Sequence, residues 1–295
     1  MSGKLMLLVN PAAGKGGFRS AMGSVLEVFC SGGWQPTVFM TRQRGDAPRL
    51  VREHSRDYDL LVCMGGDGTL SEVVSGLADL PDAPPLGYIP MGTANDVATT
   101  LGLSRNPARA AAAITCGRPR PLDVGRMNGG AYFTYIAAFG AFTDVSYETR
   151  QESKQALGLL AYLLGGIAAL PKITSYHAVV EWDEGFLEDD FVFGGVTNST
   201  SVAGLVKLDE RIVSLSDGLF EVILVKNPRN LMDMNAIVRD VLTKKYQTPH
   251  VTVLHSRHVR FSFDKSAKWT RDGESGGLHT DVVIENRRAA VRILV

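Results

Sequence analysis

A buried apolar run at Leu60–Met64 passes directly into the turn 65–68 (GGDG) and then into a helix-like stretch near Thr69. Glycines let a backbone approach a bound group closely, and the amides at a helix N-terminus attract phosphate. Asp67 lies inside this turn, and a carboxylate accepts a phosphate beside it only when a cation bridges the two. The segment therefore predicts a phosphate site with Mg²⁺ or a hydroxyl partner. A structural turn held by an Asp–amide hydrogen bond is the alternative interpretation.

Two further loops have a related composition. Asn10–Gly16 follows the first apolar run, and Pro90–Asp96 follows the fourth. Neither loop contains GxxxxGK[ST], and the chain has no GxGxxG, which argues against a P-loop and against a dinucleotide cofactor. Loops that end neighbouring parallel strands meet at one edge of a sheet, so the three loops together predict a single nucleotide-binding crevice.

Apolar runs alternate with helix-like stretches over roughly the first 120 residues. This alternation is typical of βαβ units and predicts an α/β fold with a doubly wound parallel sheet. Asn106 before Pro107 predicts an N-cap with proline at the first helical position. The predicted strands are Lys4–Val9, Pro36–Met40, Leu60–Met64 and Leu86–Ile89, and the predicted helices are Phe18–Cys30, Ala47–Ser55, Thr69–Ala78 and Pro107–Cys116.

The pattern changes at residue 123, where strand-like segments separated by turn signals begin. This pattern predicts an antiparallel β-sandwich or barrel. We therefore expect two domains, 1–122 and 123–288, with the last run, Ala289–Val295, completing the first. The predicted strands are Tyr132–Ala138, Tyr176–Trp182, Phe186–Phe193, Leu219–Lys226, His250–Leu254 and Val259–Phe263, and the predicted helices are Ala156–Leu170, which is short for a membrane span, and Leu231–Leu242.

Composition narrows the class of protein. The 295 residues include 31 Lys plus Arg and 31 Asp plus Glu, so the formal net charge is zero. This balance argues against nucleic acid as a partner and against permanent electrostatic anchoring to an anionic membrane. Three cysteines without paired spacing, and an N-terminus that lacks a signal-peptide pattern, favour a cytoplasmic protein.

The three loops together resemble the catalytic domain of the diacylglycerol kinase family, in particular the bacterial soluble lipid kinases. The resemblance rests on Asn10-Pro11 with 14–16 (GKG), on 65–69 (GGDGT) and on 92–96 (GTAND), and it covers nearly the whole chain. It implies an ATP- and Mg²⁺-dependent lipid kinase that phosphorylates the hydroxyl of a lipid such as diacylglycerol. It also implies transient contact with a membrane surface, and a homodimer is one option for assembly.

The resemblance assigns catalytic roles as well. Glu274 would be the general base that removes the proton of the lipid hydroxyl, and Asp67 with Asp96 would position the Mg²⁺-bound phosphates. Because Glu274 comes from the second part of the chain, we expect a catalytic cleft between the two parts. The implied nucleotide-binding residues are Asn10, Thr41, Gly65, Gly66, Asp67, Gly68, Thr69, Leu70, Ser71, Thr93 and Asp96.

A second, structural metal is also implied by the resemblance. Its ligands would be the Asp217 carboxylate and the main-chain carbonyls of Ser214 and Leu219, and Asp123 would lie near the Mg²⁺-bound phosphates. This chain departs from the family at Ser71 and Ser75, where asparagine is common, so the role of Ser71 is less defined.

Two alternatives remain open at the level of sequence. An NAD kinase would share the turn 65–69, although the loop 92–96 fits the lipid kinases better. A non-catalytic regulator that binds nucleotide or lipid would keep the fold. The joint presence of Asp67, Asp96, Asp217 and Glu274 argues against it.

Overall fold

Alternating strands and helices make up the first part of the chain. The structure is a computed structural model that describes residues 2–93, 95–141, 173–199, 201–202, 206–207 and 214–295. The elements of this part are β1 (Gly3–Val9), α1 (Phe18–Ser31), β2 (Trp34–Met40), α2 (Asp46–His54), β3 (Leu60–Gly65), α3 (Asp67–Leu77), β4 (Leu86–Pro90), α4 (Asp96–Thr100) and α5 (Pro107–Cys116), with 3₁₀ turns at Ala13–Gly16 and Ser55–Asp57.

The parallel strands are hydrogen-bonded in the order β4-β3-β1-β2. Successive side chains of β1 point to opposite faces of the sheet. Leu5 and Leu7 pack with α1 and α5 on one face, whereas Met6 and Leu8 pack with α2 and α3 on the other. The chain leaves β1 for β2 on one side and reaches β3 on the other, which places a crevice between the carboxyl ends of β1 and β3.

The rest of the described chain consists mostly of antiparallel strands, so the fold is mixed α/β with an excess of strands. The elements are β5 (Pro119–Met127), β6 (Ala131–Phe133), β7 (Ile136–Gly140), β8 (Tyr176–Trp182), β9 (Gly185–Thr197), β10 (Ser201–Val202), β11 (Val206–Lys207), β12 (Phe220–Lys226), α6 (Leu231–Leu242), β13 (Val251–Ser256), β14 (His258–Arg271) and β15 (Glu274–Leu294).

Long, bent strands wrap this part around an aromatic core. The first half of β9 pairs with β8 and its second half with β7 and β12, and β14 likewise pairs first with β8 and then with β7. Phe139 lies at the centre, with the rings of Phe261, Phe263 and Trp269 4.8–5.7 Å from its own. Such aromatic packing adds to the stabilisation that burial provides.

The long strand β15 joins the two parts. It pairs with β14 and β5 along its length, and near its end Ile293 pairs with Leu86 of β4. The parallel and antiparallel strands thus belong to one continuous sheet. The run Ala289–Val295 is in a strand up to Leu294, as expected, and it is the end of β15 beyond a bend at Ala289, where φ is 50°.

The expected single strand Tyr132–Ala138 is wrong. It is divided into β6 and β7, because the amides of Thr134 and Tyr135 bond to the Asp272 carboxylate and not to a neighbouring strand. The strand at Val259–Phe263 extends to Arg271. The predicted helix Ala156–Leu170 lies outside the described residues. Within the described ranges, no helix is long and apolar enough to cross a membrane.

Candidate functional site

The strand-ending loops meet in one cleft at the carboxyl edge of the parallel sheet. Its volume is about 470 Å³. The loops after β1, β2, β3 and β4 all contribute, and the hairpin between β14 and β15 closes the cleft. The lining residues are Asn10, Pro11, Ala12, Ala13, Gly14, Thr41, Arg42, Gln43, Arg44, Gly66, Gly68, Thr69, Glu72, Gly92, Thr93 and Glu274.

Close glycine contacts hold the loops against one another. A Cβ added at Gly92 would lie 2.9 Å from the Cα of Gly66, and one at Gly66 would lie 3.3 Å from the Cα of Gly92. Gly14 has φ +59°, and a Cβ there would collide with the main-chain oxygen of Met91. These contacts leave room for a backbone only, which explains why glycine occupies all three loops.

Two asparagines complete the loop framework. Asn10 donates from Nδ2 to Thr69 Oγ1 at 2.8 Å, which ties the end of β1 to the first turn of α3. Asn95 has φ 54°, a left-handed conformation that asparagine tolerates better than most residues. Its Oδ1 accepts the amide of Gly92 at 2.9 Å, and its Nδ2 donates to the carbonyl of Gly92 at 2.8 Å. The sequence alone did not indicate the role of Asn95, although this residue lies within the motif 92–96.

Asp67 and Asp96 form a half-buried pair of carboxylates beside the glycine loops. The amide of Asp96 donates to Asp67 Oδ2 at 3.2 Å, and the Tyr88 hydroxyl donates to Asp67 Oδ1 at 3.5 Å. Burial raises the pKa of Asp67, and repulsion from Asp96 raises it further. Burial also raises the pKa of Asp96, whereas Arg105 lowers it. Two carboxylates that repel each other beside the cleft suit a divalent cation.

Glu274 reaches the cleft from a tight hairpin. Asp272 and Gly273 have φ 46° and 80°, the left-handed pair of a two-residue hairpin turn. Glu274 Oε1 stands over the start of α3, since a Cβ added at Gly68 would lie 3.0 Å from it. Arg44 Nη2 donates to Glu274 Oε2 at 2.5 Å. The structure thus brings the expected base to the glycine loops, and Arg44 is a contact that sequence reasoning missed.

Five of the expected nucleotide-binding residues lie beside the cleft and do not line it: the carboxylate pair described above, and Gly65, Leu70 and Ser71. Leu70 is fully buried in the core with α2 and α3, so only its backbone can face a nucleotide. Gly65 packs under Thr69, at a distance that leaves no room for a side chain. The carbonyl of Ser71 accepts the hydroxyl of Ser75 at 2.8 Å. Thr41 and Thr93 line the cleft as expected.

Asp123 and the turn 214–219 lie together, away from the cleft lining. The two oxygens of the fully buried Asp123 accept the amides of Gly218 at 2.6 Å and of Ala289 at 2.7 Å. Asp217 is exposed, and its Oδ1 accepts the amide of Leu219 at 2.9 Å. In the described part of the chain, no group of three or more His, Cys, Asp or Glu side chains is arranged to hold a metal ion.

Comparison with known proteins agrees with this geometry. The model of the diacylglycerol kinase catalytic domain matches residues 4–127. A diacylglycerol kinase from Bacillus subtilis (strain 168) is 34% identical over 275 residues, which is 92% of this chain and 90% of that protein. The chain belongs to the diacylglycerol kinase family. It is a lipid kinase, and this assignment separates it from the NAD kinases and from non-catalytic regulators.

Other relatives support the assignment over the full length. A diacylglycerol kinase from Staphylococcus carnosus (strain TM300) is 33% identical over 282 residues, covering 94% of this chain and 90% of that protein. A crystal structure of a diacylglycerol kinase from Bacillus anthracis str. Sterne has 25% identity and a TM-score of 0.77, covering 99% of this chain and 96% of that one. A second solved structure from the same organism has a TM-score of 0.83.

Proposed function

We propose that this lipid kinase transfers the γ-phosphoryl group of ATP to the hydroxyl of diacylglycerol or a similar lipid alcohol, with Mg²⁺ and with Glu274 as general base. One observation carries the proposal: Glu274 and the glycine loops, far apart in sequence, face each other across one cleft. The names of the relatives support diacylglycerol as the acceptor.

The glycine loops are suited to the phosphates of ATP. The first amides of α3 are at a helix N-terminus, where backbone donors and the helix dipole favour an anion. The hydroxyls of Thr41, Thr69 and Thr93 lie around the same cleft. Gly66 and Gly92 let the two loops pack backbone against backbone, which brings their main chains together at the cleft.

Mg²⁺ fits the pair of Asp67 and Asp96, whose repulsion a cation relieves. When bound, it would neutralise charge on the transferring phosphoryl group, which is the main requirement of this reaction. A second cation would be held by the Asp217 carboxylate and the carbonyls of Ser214 and Leu219. Asp123 accepts the amide of Gly218 in this turn, so we assign it the role of stabilising the turn.

Glu274 is placed to accept a proton. Its side chain is 42% exposed, so a lipid hydroxyl can reach it, and its position above Gly68 puts it next to the phosphate site. A lipid hydroxyl is a weak nucleophile at neutral pH. Transfer of its proton to a carboxylate within hydrogen-bond reach makes the oxygen a better one.

The two parts of the chain divide the work in this proposal. Residues 1–122 with 289–295 would hold ATP, and 123–288 would hold the lipid and supply Glu274. The protein would act in the cytoplasm and touch the membrane transiently, without nucleic acid as a partner. Assembly as a homodimer is open to test by light scattering.

The test is transfer of labelled phosphate from ATP to a panel of lipid alcohols and to NAD, by wild type and by Glu274→Gln. We expect phosphate on a diacylglycerol-like lipid, and a kcat about 10²–10⁴-fold lower for the variant with little change in the KM for ATP. Glu53→Gln is the control, because Glu53 also pairs with an arginine but lies outside the cleft. Absence of transfer to any lipid alcohol, or a Glu274→Gln enzyme as active as wild type, contradicts the proposal.

A further inference from the structure

The carboxylate of Asp272, two residues before Glu274, is buried and accepts four hydrogen bonds. Oδ2 accepts from the amide of Thr134 at 2.8 Å and from its hydroxyl at 3.1 Å. Oδ1 accepts from the amides of Tyr135 at 2.9 Å and Ile136 at 3.0 Å. The residue is 9% exposed, and the amide of Asp272 donates to the carbonyl of Ile136 at 2.9 Å. Five bonds therefore join the hairpin tip to the segment 134–136.

The segment that receives Asp272 is itself held firmly. The carbonyl of Tyr135 accepts the hydroxyl of Thr197 at 2.8 Å and the amide of Asn198 at 3.1 Å. Thr197 is the last residue of β9, which is paired to β7 and β12, and Asn198 follows it directly. Hydrogen bonds from backbone amides to a carboxylate are short and strong, and a buried polar group without such partners is costly. Asp272 thus connects the hairpin to a rigid part of the sheet.

The backbone conformation of the turn fixes the position of Glu274 relative to Asp272. Asp272 and Gly273 are both in the left-handed region, so the direction in which the chain leaves the turn is fixed. Glu274 is the next residue, paired with Arg271 across the hairpin. A free hairpin tip would let the Glu274 carboxylate move relative to Gly68, and a displacement of about 1 Å from a reacting group can cost about 10²-fold in rate.

We infer that Asp272 is a positioning residue for the reaction: its buried carboxylate fixes the hairpin so that the Glu274 carboxylate stands at the phosphate site. The inference rests on the proposed role of Glu274 as general base. It separates the two acidic residues of this turn by function. Glu274 touches the substrate, and Asp272 acts through it.

The experiment is a double-mutant cycle of Asp272→Asn and Glu274→Gln, measured as kcat and KM for ATP with diacylglycerol as acceptor. Asparagine tolerates the left-handed turn but replaces one acceptor oxygen with a donor that faces other donors. We expect Asp272→Asn to lower kcat about 10–100-fold with the KM for ATP within about threefold. In the Glu274→Gln background, the same change should lower kcat by less than about twofold, because no base remains to be positioned.

A purely structural role gives a different pattern. It would lower kcat equally in both backgrounds, or weaken ATP binding measured by calorimetry, and either result overturns the inference. Asp281→Asn is the control. Asp281 lies on β15, as Glu274 does, and its exposed carboxylate pairs with Arg260. If Asp272→Asn fails to fold, Asp272→Gly keeps the turn and enters the same cycle; failure of both variants to fold also overturns the inference.

The activity of the Glu274→Gln variant alone distinguishes a failure of the proposed general base from a failure of the proposed positioning role. If that variant is as active as wild type, the proposed base is wrong. If it is impaired while Asp272→Asn retains wild-type kcat, the base stands and the positioning role is wrong.

Discussion

The two walls of the cleft are held in place by different kinds of contact. The loop wall, formed by the cleft-lining residues of segments 10–14, 41–44, 66–69 and 92–93, depends on glycine backbones that touch and on two asparagines. The hairpin wall, Arg271 to Glu274, depends on one buried carboxylate. The loop wall must offer many amides to an anion, so its backbones have to be close. The hairpin wall must offer one side chain, so one rigid turn is enough.

The largest effect is expected from Gly92→Ala in the loop wall. The added methyl would lie 2.9 Å from the Cα of Gly66 and 2.8 Å from Asn95 Oδ1, so the loops must separate. We expect ATP affinity to fall about 100-fold or more, because overpacking displaces the backbone that binds the phosphates. Calorimetric titration with a non-hydrolysable ATP analogue measures this.

Gly23→Ala is the matched control for Gly92→Ala. Gly23 lies in α1, and a Cβ there would meet nothing within 4 Å. This change should leave ATP affinity unchanged and stabilise the helix by about 0.5–1 kcal/mol. If Gly92→Ala also binds the analogue normally, close glycine packing is not what shapes the loop wall.

A second buried carboxylate, that of Glu221, differs from Asp272 in its hydrogen bonding. Glu221 is 1% exposed, and among the described residues its Oε2 has no hydrogen-bond partner. Burial, with the nearby Asp217, raises the pKa of Glu221 to about 8. The folded state therefore binds this proton more tightly than the unfolded state, so the stability it contributes is present at low pH and is lost as the pH rises through about 8.

We therefore expect Glu221→Gln to stabilise the protein at high pH. The gain over wild type should grow between pH 5 and pH 9 and reach roughly 2–4 kcal/mol, measured by denaturant unfolding at each pH. Asp272→Asn should be destabilising over the same range, because that carboxylate is fully bonded. If the difference in stability between Glu221→Gln and wild type does not change with pH, the Glu221 carboxylate does not ionise while it is buried.

A smaller effect is expected from Asn95→Ala. The change removes both bonds to Gly92 and places alanine at φ 54°, which together cost about 1–3 kcal/mol. ATP affinity should fall about tenfold in the same titration. Asn95→Gly keeps the backbone conformation without the side chain, so the difference between the two variants isolates the strain. Equal affinities for wild type and Asn95→Ala would mean that the glycine contacts alone hold the loop.

Local signals in the sequence predicted the three glycine loops of the loop wall, but not the roles of Asn95 and Arg44. The Asn106–Pro107 boundary is confirmed, since Asn106 Oδ1 accepts the amide of Arg109 at 3.0 Å. The glycine turn begins α3 at Asp67, two residues before the expected start. The hairpin wall could not be derived in this way. Asp272 reaches residues 134–136, and a contact across some 138 positions leaves no periodicity or turn signal in the sequence.

The smallest effect is expected from Arg44→Ala, which removes the ion pair between the two walls. Arg44 is 68% exposed, and such pairs contribute at most about 1 kcal/mol to stability, so the unfolding midpoint should stay nearly unchanged. Arg44 also places a positive charge in a cleft meant for an anion. We expect the KM for ATP to rise by about threefold to tenfold, less so at high salt, and Arg44→Lys to restore part of it. Arg260→Ala, which breaks the exposed pair with Asp281 outside the cleft, is the control. A fall in kcat with an unchanged KM would instead mean that Arg44 helps Asp272 to orient Glu274, and the hairpin wall would then depend on the loop wall for its geometry.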